Sequence, residues 1–169
     1  MFTDDNSWLE IYREKGYIQE LRRHIGHAPL IGVACGVIVL NSRGEILLQK
    51  RRDNGRWGII GGAMEIGESV QETVIREARE EAGITIGRMD LFGIYSGMDR
   101  LIIYPNGDIC YAACIVFISR DFEGTIVNQE EEVIEHRFFA PEDLPDEINE
   151  FDKVYIRDWM EGKNGIIVR

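Results

Sequence analysis

Four glutamates, Glu68, Glu77, Glu80 and Glu81, lie close together in the chain with Arg76 among them, just after the glycine pair Gly61-Gly62. A helix advances about 100° per residue, so Glu77, Glu80 and Glu81 fall within an arc of roughly 100°. Val70, Val74, Ile75, Ala78 and Ala82 form an adjoining apolar arc suited to packing on a sheet. The carboxylates therefore lie at the margin of a buried face. Like charges at these spacings each cost a helix about 0.2–0.5 kcal/mol. A set of oxygen ligands on adjacent turns suits a hard divalent cation such as Mg²⁺, which takes oxygens at about 2.0–2.1 Å and keeps several waters. A glutamate-rich helical face without such a task is simply solvated, and helical spacing alone leaves both readings open.

The wider stretch decides between them. Residues 62–84 read GAMEIGESVQETVIREAREEAGI, which resembles the signature of the Nudix (MutT-like) hydrolases, G-x5-E-x7-R-E-U-x-E-E-x-G-U with U apolar. Every defined position is filled. The resemblance implies metal-dependent hydrolysis of a nucleoside diphosphate linked to another moiety X, releasing a nucleoside monophosphate and phosphorylated X. It implies Mg²⁺ or Mn²⁺ held by Glu77, Glu80 and Glu81, with the carbonyl of Gly61 facing the metal. Arg76 would orient a metal-binding glutamate by pairing with Glu80, or with Glu68 across the loop. Glu77 or Glu132 would act as base; Glu132 stands six residues before Phe138, the offset at which the family often carries a further carboxylate before an aromatic. Arg51 and Arg52 end a strand that faces substrate phosphates in the family, and arginine suits bidentate phosphate contacts. Gly62 joins them, since glycine lets the backbone approach a ligand. Ile60 replaces the proline common before the glycine pair, which alters loop stiffness and removes no metal ligand.

Two rivals share the resemblance. A catalytically weak nucleotide-binding sensor would typically have lost signature glutamates, and none is missing. The isoprenoid diphosphate isomerases use a cysteine in a Cys-His context that this chain lacks. The signature identifies the scissile group and leaves X open, because residues that select 8-oxo-dGTP, ADP-ribose, nucleoside sugars or dinucleoside polyphosphates lie outside it.

The chain has 169 residues and a net charge of −11. That balance argues against gripping nucleic-acid phosphates, which needs a basic face, and fits a site that concentrates cations. A small-molecule nucleotide is the expected partner. Met1-Phe2-Thr3-Asp4-Asp5 lacks the basic start of a signal peptide, and the apolar run 33–40 is too short to span a bilayer, so cytoplasm is the expected location. Cys35, Cys110 and Cys114 form no C-x-x-C pair and read as buried free thiols rather than a disulfide framework or zinc site.

Helical periodicity runs from Asp5 to about His24 through Trp8, Leu9, Tyr12, Ile18 and Leu21, weakest at Gly16. This extension, residues 1–29, either packs on the remaining domain, 30–169, or makes a homodimer contact. Strands are expected at 32–40, 45–50, 89–97, 100–104, 108–119 and 133–140, with an Asn106-Gly107 hairpin turn and a closing helix over 148–160. Strands, a central helix, more strands and a closing helix indicate an α/β/α sandwich around a mixed β-sheet, the same architecture the resemblance implies.

Overall fold

The computed structural model describes Tyr12 and residues 15–169, apart from Pro105, Glu130 and Asn164. Trp8 and Leu9 of the expected leader helix, and Glu130, therefore lie outside the described residues. Gly16 does interrupt the leader, with φ 77, and a helix α1 (Tyr17–Ile25) follows it.

The apolar runs become β1 (Leu30–Val39) and β8 (Ile109–Ser119), which pair in parallel from Leu30 opposite Cys110 to Val39 opposite Ser119. Strands covered on both sides read as continuous apolar runs, which is why these two do. β4 (Ile60–Ala63) flanks β1, and β6 (Asp90–Tyr95) flanks β8 on the other side. β11 (Ile167–Val168) extends β6, and β7 (Leu101–Ile103) forms a hairpin with β8 across Asn106-Gly107. A second sheet has the order β10 (Val133–Phe139), β2 (Ile46–Arg51), β3 (Trp57–Gly58). Antiparallel and parallel pairs coexist, as expected of a mixed sheet.

Helix α2 (Val70–Ala82) carries the glutamates and α3 (Glu150–Met160) closes the fold. Each buries one face of the sheets. Val37, Val39, Leu47 and Ile60 pack with Val74, Ala78 and Ala82 of α2, while Ile38, Leu40, Ile46 and Leu48 pack with Tyr155 and Ile156 of α3. Successive residues of β1 and β2 thus face opposite helices, which is the sandwich in residue terms.

Sequence reading missed several short elements. The glycine segment, read as a loop, contains β3 and β4, and β5 (Thr85–Ile86) pairs with β9 (Phe122–Glu123). Two-residue strands carry no periodicity to detect. α1 packs on the domain: Arg22 donates to the carbonyls of Ala28 and Ile109 at 2.6 and 2.8 Å.

Candidate active site

Local sequence sets α2 with unusual completeness. Ser69 caps its start in a reciprocal box with Glu72: the Ser69 N–H donates to the Glu72 carboxylate at 2.7 Å, and the Glu72 N–H donates to Ser69 Oγ at 3.3 Å. Gly83 ends the helix in the left-handed conformation, φ 69. Between these caps the apolar stripe on the sheet determines the rotation of the helix, and so where the glutamates point.

Arg76 sits at the centre of them. Its Nε donates to Glu68 Oε1 at 2.6 Å and Nη2 to Glu68 Oε2 at 3.1 Å. Its Nη1 donates to Glu77 Oε1 at 2.6 Å and Glu80 Oε2 at 3.0 Å, and Nη2 also reaches the Ala63 carbonyl at 2.9 Å. Both pairings expected of Arg76, with Glu68 and with Glu80, are therefore made at once. Burial alone would raise the Glu68 carboxyl, but hydrogen bonds from Arg76, the Glu65 amide and Thr73 outweigh it and hold it below the usual range.

Glu77 and Glu81 are different. Burial raises the Glu77 pKa more than Arg76 lowers it, and the charges of Glu80 and Glu132 add to the rise. Glu81 is 4 % exposed, and burial pushes its pKa to about 7 despite the N–H of Gly61, which donates to Oε2 at 3.0 Å. The nearby Gln49 amide, whose Nε2 donates to the Ile59 carbonyl at 3.4 Å, also favours the charged form of Glu81, and Arg51 Nη1 stands 3.9 Å from it. Among the described residues no three acidic, imidazole or thiol groups converge as a preformed cage. The glutamates are instead held apart on a frame of Arg76, Gly61 and Gln49.

The glycine pair is required by close approach. A Cβ on Gly61, whose φ is 154, would lie 2.3 Å from the Cys35 carbonyl oxygen; one on Gly62 would lie 2.4 Å from Glu77 Oε1. At Gly61 the obstacle is backbone and no side chain fits; at Gly62 a side chain would displace the Glu77 carboxylate. Of the expected phosphate contacts, Arg51 lies beside the cluster, bound bidentately to Asp53 at 3.1 and 3.2 Å, while Arg52 is exposed and its N–H donates to the Glu132 carbonyl at 2.8 Å.

Glu132 reaches this neighbourhood by a route other than the one its offset suggests. An even offset from Phe138 should put both side chains on one strand face. A register shift between Val133 and Glu135 breaks the alternation, so Val133 stands opposite Arg51, where an unbroken register would place Ile134. Glu132 lies in the turn before β10, exposed, with its charge still felt at Glu77.

Sequence reading missed Gln49, Thr73, Glu65 and Asp152 as part of this arrangement. Gln49 is fully buried, and its place between Leu47 and Arg51 in strand alternation was the available signal. The three cysteines are free, and burial pushes the Cys35 thiol up to about 11. None is a reactive thiolate of the kind an isomerase reading needs.

The NUDIX domain family matches residues 30–159, and the chain belongs to that family. It is a hydrolase of diphosphate bonds, in a family acting on nucleoside diphosphate derivatives. An ADP-ribose pyrophosphatase of Methanocaldococcus jannaschii is 35% identical over 130 residues, covering 75% of this chain and 72% of that protein. An NAD-capped RNA hydrolase of Pseudomonas aeruginosa is 30% identical over 112 residues, covering 64% of this chain but 37% of that protein. A MutT NUDIX hydrolase from Burkholderia pseudomallei superposes with a TM-score of 0.65 at 28% identity, covering 76% of this chain and 97% of that one. Among the described residues no helix is long and apolar enough to cross a membrane.

Proposed function

We propose that the protein hydrolyses a nucleoside diphosphate linked to a second moiety, in a reaction dependent on Mg²⁺ or Mn²⁺, to a nucleoside monophosphate and the phosphorylated second moiety. The observation that carries this is the pair of carboxylates Glu77, half-buried, and Glu81, buried, whose negative charge the neighbouring arginines only partly offset. An all-oxygen donor set with surplus negative charge fits a hard divalent cation. Glu77, Glu80 and Glu81 are the residues to hold it, beside Gly61. When bound, the metal neutralises phosphate charge and acidifies water.

The chain's own groups do the rest. Arg76 keeps Glu77 and Glu80 in place while Glu68 holds Arg76. The N–H of Gly61 orients Glu81. Arg51 and Arg52, at the end of β2, take the substrate phosphates, with Arg51 exchanging Asp53 for a phosphate oxygen. Gly62 leaves room for the Glu77 carboxylate and lets the loop backbone approach the substrate. Glu77 or Glu132 would accept the proton from the attacking water, a reading supported by the charge of Glu132 acting on Glu77. The names of the similar proteins, an ADP-ribose pyrophosphatase and an NAD-capped RNA hydrolase, favour a dinucleotide-like substrate with an adenosine diphosphate portion.

A panel of diphosphate-linked compounds, incubated with Mg²⁺ or Mn²⁺ and analysed for products, tests this. ADP-ribose and NAD should give AMP together with the second phosphorylated fragment. Turnover that persists after thorough chelation, or hydrolysis of phosphomonoesters alone, would refute the proposal.

A further inference from the structure

Helix α1 has no fully buried residue: Tyr17, Ile18, Leu21 and Ile25 are half-buried, so the apolar burial that usually stabilises a helix is only partial here. Polar contacts hold it at both ends. At its C-terminal end Arg22 binds the Ala28 and Ile109 carbonyls, and His27 Nδ1 lies 2.8 Å from Asp108 in the turn of the β7–β8 hairpin. At its start, the N–H of Tyr17 donates to Glu65 Oε2 at 2.7 Å. A carboxylate there also meets the positive end of the helix dipole.

Glu65 lies inside the loop between Gly62 and Glu68, and its own N–H donates to Glu68 Oε2 at 3.0 Å. A continuous series of bonds therefore runs from Tyr17 through Glu65 and Glu68 to Arg76, and from Arg76 to Glu77 and Glu80. We propose that Glu65 is a positioning residue that couples helix α1 to the catalytic loop, so that the leader helix helps orient Arg76 and its glutamates. The proposal rests on the reading of that cluster as the catalytic centre. Without the tether the loop is freer to move, Glu68 loses a defined acceptor geometry, and Arg76 is less well placed.

Tyr17→Pro removes the N–H that donates to Glu65, at the first helical position, where proline is tolerated. Tyr17→Ala keeps that N–H and controls for loss of the ring. Tyr17→Pro and Glu65→Ala should each lower kcat by about 3- to 10-fold, as expected for a charge-assisted hydrogen bond, with KM little changed. Tyr17→Ala should stay within about two-fold, and Glu65→Gln, which keeps an acceptor, should recover most of the activity lost in Glu65→Ala. The double variant should be no worse than either single one, because both remove the same bond. Independently of activity, amide exchange at Glu65 in the metal-free protein should be faster in Tyr17→Pro than in Tyr17→Ala. Equal exchange in those two variants would overturn the coupling; faster exchange with unchanged kcat would overturn its role in positioning. Failure of the catalytic reading would show differently, as full activity in Glu80→Gln.

Discussion

The Arg76 guanidinium binds the Glu68 carboxylate through two nitrogens, at 2.6 and 3.1 Å, while its remaining reach extends to Glu77 and Glu80. Glu68 thus acts on the cluster through Arg76. Arg76→Lys keeps the charge but cannot span three carboxylates, since a lysine offers one compact ammonium. We expect kcat to fall by about 10-fold or more and the Mg²⁺ concentration for half-maximal activity to rise. Wild-type values of both would mean the network is ornamental to catalysis.

Glu80→Gln and Glu81→Gln should each reduce turnover by roughly 10²-fold or more if metal charge stabilisation is worth several kcal/mol. Their stabilities should part. Glu81 is a buried carboxylate, so its neutral replacement should raise the metal-free unfolding temperature. Glu80 is 56% exposed in its side chain, and exposed ion pairs contribute about 0–1 kcal/mol, so its loss should change little. Thermal unfolding in chelator and steady-state kinetics together check both. Near-normal turnover in both variants would remove these residues from the metal site.

Glu132→Gln, compared with Glu131→Gln on the adjacent exposed position, tests the base. Because the charge of Glu132 reaches Glu77, the first substitution should lower kcat clearly and the second should not, with folding unaffected in both. Equal and negligible effects would return Glu132 to the solvent and leave Glu77 as base.

Stability of the metal-free protein should fall as pH rises through the mildly acidic range. Asp152 is buried where α3 meets Gly58, and burial lifts its pKa to about 7 against the partial opposition of Arg51 and Arg100. The folded state then keeps a proton that the unfolded chain releases near its ordinary pKa of 3.8, so folding loses stability from about pH 4 up to about 7. Glu81, raised from 4.5 to about 7, has the same sign. Glu68 and Asp158, both lowered, act oppositely below about pH 4.5, and His136, lowered by burial from 6.5 to about 4, opposes the fall between those values without matching Asp152 and Glu81 together. Asp152→Asn should flatten the profile and gain on the order of 1–3 kcal/mol near neutrality. A melting temperature that climbs between about pH 5 and 7 would contradict this sign.

The sequence alone determined the helix that carries the glutamates, because its stripe, its capping residues and its signature spacing are all local. It also determined the two long apolar strands, since burial on both faces leaves an unbroken apolar run. Spacing named Glu68, Arg76, Glu77, Glu80 and Glu81 as a group. Only tertiary structure decided how they are held: Arg76 satisfies Glu68, Glu77 and Glu80 together because the loop folds back onto the helix, a contact no local pattern specifies. The same holds for Glu81, which depends on Gly61 and Gln49 from two other strands. The bulge at the start of β10 likewise breaks the alternation between Glu132 and Phe138, which the offset between them could not show. Periodicity reports one element's faces, whereas charge placement here depends on where separate elements meet.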